Sequence, residues 1–511
     1  MNTLQQFGGL LRMRIIKLAS LAGLLAFVVW RSLDLKFFVR DLDIWWHLKV
    51  GDWISEHHAF PHNGIFSRTA ADRPWAAYSW GFELMLSRAY HWLDLIGMGI
   101  FGTLLTVAVA FAVYWMARRL SQRFWFACAV ATAACSAFLF NLMPRPVFFS
   151  MIFFAVLLAL ILEAQRSGRV ELLYWLPLIF VLWANIHIQF IYGLAIVGLL
   201  AAVTVLQDAS RRLGIHAQYF ESSQLSAARV SVIFGACVVA TCIGPYSYHL
   251  YAVVYQYGMA KVPYKMIREL QPLNFRAYSH YVQLLLTGAA FFAVGRQKKI
   301  NLFKVALLVA TSVLAYRTMR DAWFICIAAA ACISDFPAEE AARERPESFY
   351  EMATVCGFLV LAGFLFARSN DFNREGLDAA ISHDFPVKAV NFLRQNPQPG
   401  ALYNSHDWGG FLIWYMPDHP VAIDGRGDLY GDDIDGQFFN TANGDQSPEA
   451  DPYLKQSGIV LFQKEAPLSA LLSMDPQFQK IYEDRIAVVY VRKEGRTDLP
   501  ALPSPVSAQI P

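Results

Sequence analysis

The chain has 511 residues, of which 56% are hydrophobic, 15% aromatic and only 16% charged, with a formal net charge of +3. A composition this apolar excludes an ordinary soluble enzyme of the same length and points to an integral membrane protein. A net charge so near zero gives no sign of a nucleic-acid partner or of a preference for acidic substrates, so only the placement of the charges can inform.

Residues 1–17 carry Arg12, Arg14 and Lys17 and lead into an apolar run ending near Trp30. We read this as an uncleaved first helix, because no small-residue cleavage pattern follows and the next residues include Arg31, Asp34 and Lys36. Further runs of spanning length lie near 94–117, 122–141, 146–164, 171–187, 190–207, 229–248, 281–295, 301–316, 321–334 and 351–368. At ~20 apolar residues per crossing this predicts about eleven crossings. Placing the N-terminus inside puts Arg118, Arg119 and Arg123, then Arg166 and Arg169, Arg211 and Arg212, Arg296 with Lys298 and Lys299, and Arg343 with Arg345 in inner loops, as the positive-inside rule requires. Residues 34–92, 246–280, 316–321 and the tail from 369 are then outside. All seven cysteines (Cys128, Cys135, Cys237, Cys242, Cys326, Cys332, Cys356) fall within apolar runs, without disulfide or metal spacing, and are expected to be small buried apolar residues.

The first outer loop holds Asp41-Leu42-Asp43-Ile44-Trp45-Trp46-His47 and, further on, Gly51-Asp52-Trp53-Ile54. A short helix here would put Asp43 and His47 on one face, four residues apart. Trp45, Trp46 and Trp53 suit a helix lying along the membrane–water boundary. A second surface helix is predicted over Ser79–Asp94, with Ser79, Glu83, Ser87, His91 and Asp94 as its polar stripe. The bland alternative makes Asp41 an N-cap, Asp43 a dipole-stabilising acid and His47 a satisfied interfacial residue. Asn185-Ile186-His187-Ile188-Gln189 interrupts an apolar stretch, either to line a cavity or to turn between two helices.

From 369 onward, charge, Gly, Pro and Asp increase. A helix is predicted over Val387–Gln395, strands at Ala401–Tyr403, Val421–Ile423, Ile459–Phe462 and Ile486–Val491, and helices over Trp408–Met416 and near Leu468–Met474. This alternation predicts a small α/β domain. The Arg-Gly-Asp tripeptide within Asp424-Gly425-Arg426-Gly427-Asp428 reads as a turn. The last dozen residues, containing prolines, are expected to fray.

The motif Asp41-x-Asp43-x-Trp45-Trp46-His47-Leu48-x-x-Gly51-x-Trp53-Ile54, followed by Phe60-Pro61, Phe66-Ser67, Pro74-Trp75 and Trp80-x-x-Glu83, resembles a bacterial membrane family related to the GT-C class of glycosyltransferases. Trp408-Gly409-Gly410 and Ile423-Asp424-Gly425-Arg426 add to the resemblance, which is weak between 83 and 403. The chain departs from the family pattern at Gly64, where an acidic residue would be expected two before Phe66. The resemblance implies a transmembrane GT-C-like domain over 1–368, with its acidic motif in the outer loop 34–92, and an extracytoplasmic α/β domain over 369–511. It implies a multi-pass protein of the bacterial cytoplasmic membrane that transfers a sugar from a polyprenyl-phosphate-linked donor to an extracytoplasmic glycan, lipid or protein.

On this reading Asp43 is the first choice for the base and Asp41 its partner, with His47 orienting one of them and Glu83 completing the catalytic candidates. Asp41 and Asp43 are also candidate ligands for a divalent metal such as Mg or Mn. Candidate cations for the donor phosphate are Arg40, Arg145, Lys261, Lys265, Arg268, Arg276, Arg317 and Arg320, with the 261–276 and 317–320 clusters ranked above Arg145. The rivals are oligosaccharide transfer to protein, a lipid-carrier transporter or flippase, and a catalytically silent anchoring protein that would leave Asp43 capped and facing solvent.

Overall fold

The computed structural model describes residues 2–139, 142–214, 219–221, 223–336 and 344–493. Arg343 and the proline-containing last dozen residues lie outside this range. The chain is a mostly helical membrane protein with a small C-terminal sheet. It divides into two compact units: one of residues 1–62 and 75–380, the other of 63–74 and 381–511.

In the first unit every apolar run read from the sequence falls on a helical element. These are Asn2–Leu35, Trp80–Ser121, Phe124–Phe138, Val147–Ser167, Val170–Trp175 with Leu176–Ala184, Phe190–Arg212, Ala227–Ala240, Tyr278–Gly295, Leu302–Arg317, Ala322–Ser334 and Phe349–Ser369. Five described segments are long and apolar enough to cross a membrane: Arg12–Arg40, Trp80–Ser121, Val147–Ser167, Phe190–Arg212 and Phe349–Ser369. The predicted start at residue 94 corresponds to a break inside Trp80–Ser121, where Asp94 takes φ 55° and its Oδ1 accepts the Leu95 N–H at 2.8 Å. Five of the cysteines are buried as expected; Cys242 is half-buried and Cys356 is exposed on Phe349–Ser369.

Basic residues from separate helices gather at one end of the bundle. Lys17 pairs with Glu344 at 2.7 Å, and Arg118 pairs with Glu347 at 3.0 Å while donating to the Arg345 carbonyl at 2.7 Å. Arg166 donates to the Leu120 carbonyl at 2.8 Å, and Lys304 pairs with Asp335 at 2.8 Å. Arg145 and Arg166 stand at opposite ends of Val147–Ser167, about 30 Å apart at 1.5 Å per residue.

The first expected surface helix does not lie with Trp45 and Trp46 outward, whereas Trp92 of the second is exposed. In Ile44–His57 the side chains of Trp45 and Trp46 are buried in the unit, and in Trp80–Ser121 the stripe residues Glu83 and Ser87 face inward. The two helices pack so closely at Gly51 that an added Cβ would stand 2.1 Å from the Glu83 carbonyl oxygen. Their polar residues therefore satisfy one another across the contact instead of facing water. The Asn185–Gln189 stretch is a turn. Asn185 accepts from Trp80 Nε1 at 3.0 Å and through its carbonyl from the Gly81 N–H at 3.0 Å, and His187 Nδ1 lies 2.8 Å from Ser150 Oγ.

The second unit is built on a four-stranded sheet ordered β1-β2-β4-β3. β1 (Ala401–Asn404) runs parallel to β2 (Ser457–Gln463), and β4 (Ala487–Arg492) runs antiparallel to both β2 and β3 (Phe478–Glu483). The helices Val387–Gln395, Gly409–Tyr415 and Pro467–Met474 fall where the sequence places them. Val421–Ile423 is not a strand of this sheet. Val421 forms an isolated bridge with Ser67, its N–H donating to the Phe66 carbonyl at 3.0 Å and its carbonyl accepting from Arg68 at 2.8 Å. Gly64 belongs to this segment, and an added Cβ there would lie 2.0 Å from the Ala70 carbonyl oxygen, so the acidic residue of the family pattern has no room.

The Arg-Gly-Asp tripeptide opens the helix Gly427–Ala442, with Gly427 and Asp428 half-buried and Arg426 interior. Asp424 and Arg426 are fully buried, Nε and Nη2 of Arg426 donate to the two Asp424 oxygens at 2.8 and 2.7 Å, and Tyr430 donates to Oδ2 at 2.6 Å. Gly409 lets this segment approach, since a Cβ there would meet the Ile423 carbonyl at 2.1 Å. Removing one member of a buried pair strands the other charge. We expect Arg426→Met to cost about 3 kcal/mol, read as a lower melting temperature and faster proteolysis of the second unit in the full-length protein. A wild-type profile would contradict this placement of the pair.

Candidate active site

Four segments of the first unit bring charge together. The first is the turn before Ile44–His57. Oδ1 of Asp41 accepts the backbone N–H groups of Asp43 at 2.7 Å and Ile44 at 3.1 Å, which caps the helix start from two residues upstream. The capping role weighed for Asp41 is therefore real, yet its second oxygen, Oδ2, accepts Arg145 Nε at 2.6 Å. Asp43 makes no side-chain cap, and its Oδ2 lies 2.8 Å from Arg145 Nη1.

Arg145 is the second segment. It lies between Pro144 and Pro146 just before Val147–Ser167, where the following proline disfavours helix and the rings restrict the backbone. A stiff loop thus presents one guanidinium to two carboxylates. The third segment is the short turn Arg268–Leu270, where Glu269 Oε1 lies 3.6 Å from Arg145 Nη1. The fourth is the turn Met319–Asp321, where Arg320 Nη1 lies 3.8 Å from the same Glu269 oxygen.

Asp321 anchors that last turn. Its carboxylate accepts from Thr318 Oγ1 at 2.8 Å, Gln189 Nε2 at 3.0 Å and Tyr192 OH at 3.2 Å. The Met319 N–H also donates to the Gln271 carbonyl at 2.9 Å, so the turns carrying Glu269 and Arg320 hold each other.

Access separates the two aspartates. The Asp41 side chain is 0% exposed and fully engaged, whereas that of Asp43 is 19% exposed. Burial, ahead of the repulsion from Asp41 and Glu269 and against the pull of Arg145, holds the Asp43 carboxyl above the ordinary aspartate range. Glu269 goes the other way: burial would raise it, but Arg145 and Arg320 together leave it below its usual value.

The other candidates lie as follows. His47 Nδ1 lies 3.0 Å from Glu83 Oε1 and both side chains are buried, which links the two helices. Next to it, Ser87 Oγ donates to Asp52 Oδ1 at 2.6 Å and His91 Nε2 lies 3.0 Å from the same oxygen. Of the cations, Arg145 and Arg320 reach the acidic cluster. Arg317 is exposed with its guanidinium 5.1 Å from the centre of the Tyr264 ring, Lys261, Lys265, Arg268 and Arg276 are exposed, and Arg40 is half-buried. Arg145, ranked below the clusters on sequence, is the central cation because the loop between its prolines projects it onto the acids. Glu269 was not singled out, although a lone acid beside Lys265 and Arg268 marks it.

The Asp41–Asp43 pair does not fit a divalent metal. Both Asp41 oxygens already accept hydrogen bonds, and a guanidinium fills the position between the two carboxylates. Among the described residues no group of three His, Cys, Asp or Glu side chains is arranged to hold a metal ion.

No protein-family profile matches the chain, and no match is found among curated proteins. Similar solved structures include the mycobacterial arabinofuranosyltransferase AftD, at 11% identity and TM-score 0.47, over 94% of this chain and 40% of that one. Others are an oligosaccharyltransferase of Archaeoglobus fulgidus complexed with Zn and sulfate (11%, TM-score 0.44, 87% of this chain and 68% of that one) and ArnT from Cupriavidus metallidurans bound to undecaprenyl phosphate (14%, TM-score 0.42, 92% and 97%). The chain spans about 40% of the length of the arabinofuranosyltransferase.

Replacing Arg145 by Gln leaves two part-buried carboxylates facing each other unpaired. We expect a stability loss of about 3 kcal/mol, seen as a lower melting temperature in detergent. Arg145→Lys should fall in between, because one ammonium cannot reproduce a planar two-way fork. Equal melting of Arg145→Gln and wild type would contradict the bridging role.

Proposed function

We propose that the protein is a membrane glycosyltransferase of GT-C type that moves a sugar from a polyprenyl-phosphate donor to a hydroxyl acceptor on the outer face of a bacterial cytoplasmic membrane. The observation that carries this reading is the meeting of Asp41, Asp43, Arg145, Glu269 and Arg320 from four separate segments at one place. Glycosyl transfer needs both kinds of group, a base for the acceptor proton and cations for the phosphate that leaves.

In the proposed step the acceptor oxygen attacks the anomeric carbon as its proton passes to the Asp43 carboxylate. The bond from that carbon to the phosphate oxygen breaks, and the electron pair leaves with the polyprenyl phosphate. Arg145 and Arg320 oppose the charge that develops there. Asp41 does not touch the reacting atoms; capped on one oxygen and paired on the other, it fixes Arg145 in place. His47–Glu83 and Asp52–Ser87–His91 join the helix behind the acids to Trp80–Ser121 and so set the direction in which Asp43 points. No step requires a metal.

In this reading the other apolar helices, short ones included, complete about eleven crossings. The end bearing Arg118, Arg166 and Lys304 then lies inside, and the second unit lies outside and serves the acceptor. A silent anchoring role is less well supported, because Asp43 caps nothing with its side chain and shares a guanidinium with a second acid.

The test is sugar transfer by purified protein from labelled polyprenyl-phosphate sugars. Asp43→Asn should lower turnover at least about 100-fold, the size of contribution a positioned base makes, with stability little changed. Because only the ionised carboxylate accepts a proton and burial raises its pKa, turnover of the wild type should rise with pH along an acid limb above the ordinary aspartate range. Full turnover in Asp43→Asn would remove the mechanism.

A further inference from the structure

One carboxylate of the cluster has no part in the proposed step. Glu269 sends a single oxygen, Oε1, between two guanidinium groups from different segments, 3.6 Å from Arg145 Nη1 and 3.8 Å from Arg320 Nη1. Both distances are longer than a charge-assisted hydrogen bond of ~2.7–2.9 Å. Arg145 meanwhile holds Asp41 at 2.6 Å and Asp43 at 2.8 Å. Glu269 is also the most open acid of the three, with its side chain 39% exposed against 0% for Asp41. It is the loosely held member, on a short turn, at the point where two guanidinium groups converge.

Two guanidinium groups aimed at one oxygen make an anion site, and a phosphate oxygen is an occupant that both could fork onto. With Glu269 in place its carboxylate opposes an entering anion; with Glu269 withdrawn, that negative charge is gone and both arginines have donors to give. The turn is held by contacts at its two ends: the Ile267 N–H donates to the Pro263 carbonyl at 2.8 Å, and Gln271 accepts from the Met319 N–H at 2.9 Å and donates to the Lys265 carbonyl at 3.0 Å.

We propose that Glu269 is a built-in stand-in for phosphate: its carboxylate holds Arg145 and Arg320 apart from solvent anions until a phosphate group, lipid-linked or free, displaces it. This rests on the phosphate-donor reading and adds a competition to it. Glu269 keeps the empty site electrostatically satisfied and makes donor entry an exchange of one anion for another. The turn 268–270 moves aside in the exchange.

The test measures binding to purified full-length protein of a polyprenyl phosphate in detergent micelles and, in parallel, of inorganic phosphate. Glu269→Gln should bind the lipid phosphate roughly tenfold more tightly than wild type, a factor typical of removing one competing charge. Arg320→Gln should bind it at least about tenfold more weakly, and added salt should weaken binding in all three proteins. The same order with inorganic phosphate assigns recognition to the phosphate group itself, and a response confined to the lipid assigns it to the headgroup with its chain; either supports the exchange. Unchanged or weaker binding by Glu269→Gln overturns it, as does wild-type binding combined with lost sugar transfer, which would place Glu269 in the chemistry. If wild type still transfers sugar in those cases, the proposed function stands while the exchange falls; if no protein binds or transfers, both fall.

Discussion

The arrangement depends on one guanidinium. Arg145 bonds the Asp41 carboxylate through Nε and faces Asp43 through Nη1, with Glu269 further out on the same nitrogen. Without that cation, Asp41 and Asp43 would be two acids two residues apart in a part-buried place, and at least one would be driven to take a proton. With it, Asp41 can stay fully buried and committed to geometry, while Asp43 keeps an accessible edge and a raised proton affinity. One side chain thus divides a pair of like residues into a brace and a base.

The rest of the first unit explains why the guanidinium arrives there. Pro144 and Pro146 stiffen the loop that carries it, and the helix Val147–Ser167 anchors the loop from below. The acids are held from the other side by Ile44–His57, which packs against Trp80–Ser121 at Gly51 with almost no gap. Polar pairs flank that contact, His47 with Glu83 on one side and Asp52 with Ser87 and His91 on the other. In a setting poor in water these groups must satisfy each other, which fixes the register of the two helices. Asp321, with three donors around it, does the same for the turn that presents Arg320.

How much could be read from the sequence follows from the range of the interactions. The apolar helices of the first unit were legible because burial in lipid or protein needs an unbroken apolar run, whereas the polar helices Arg374–Asp384 and Gly427–Ala442 were not. Strands β1, β2 and β4 were legible as short apolar runs, but β3 (Phe478–Glu483) was not, since it is an edge strand whose residues after Phe478 are largely open to solvent. The pairing of Val421 with Ser67 was hidden because the partner lies some 350 residues earlier in the chain. The acidic pair Asp41 and Asp43 stood out locally. The choice of Arg145 over richer basic clusters did not, because charge density along a sequence says nothing about which loop points inward. The contact of His47 with Glu83 was not legible, because it joins two helices 36 residues apart in the chain. Trp45 and Trp46 suggested a membrane boundary and are core residues instead.

The central claim is that phosphate is received by Arg145 and Arg320 in front of Asp43. It is tested most directly by a structure of the protein determined with a bound polyprenyl phosphate. The account predicts phosphate oxygens within hydrogen-bond distance of both guanidinium groups, Glu269 turned out of the cluster, and Asp43 facing the open side of the headgroup. A phosphate bound elsewhere, with Glu269 still between the two arginines, would contradict it.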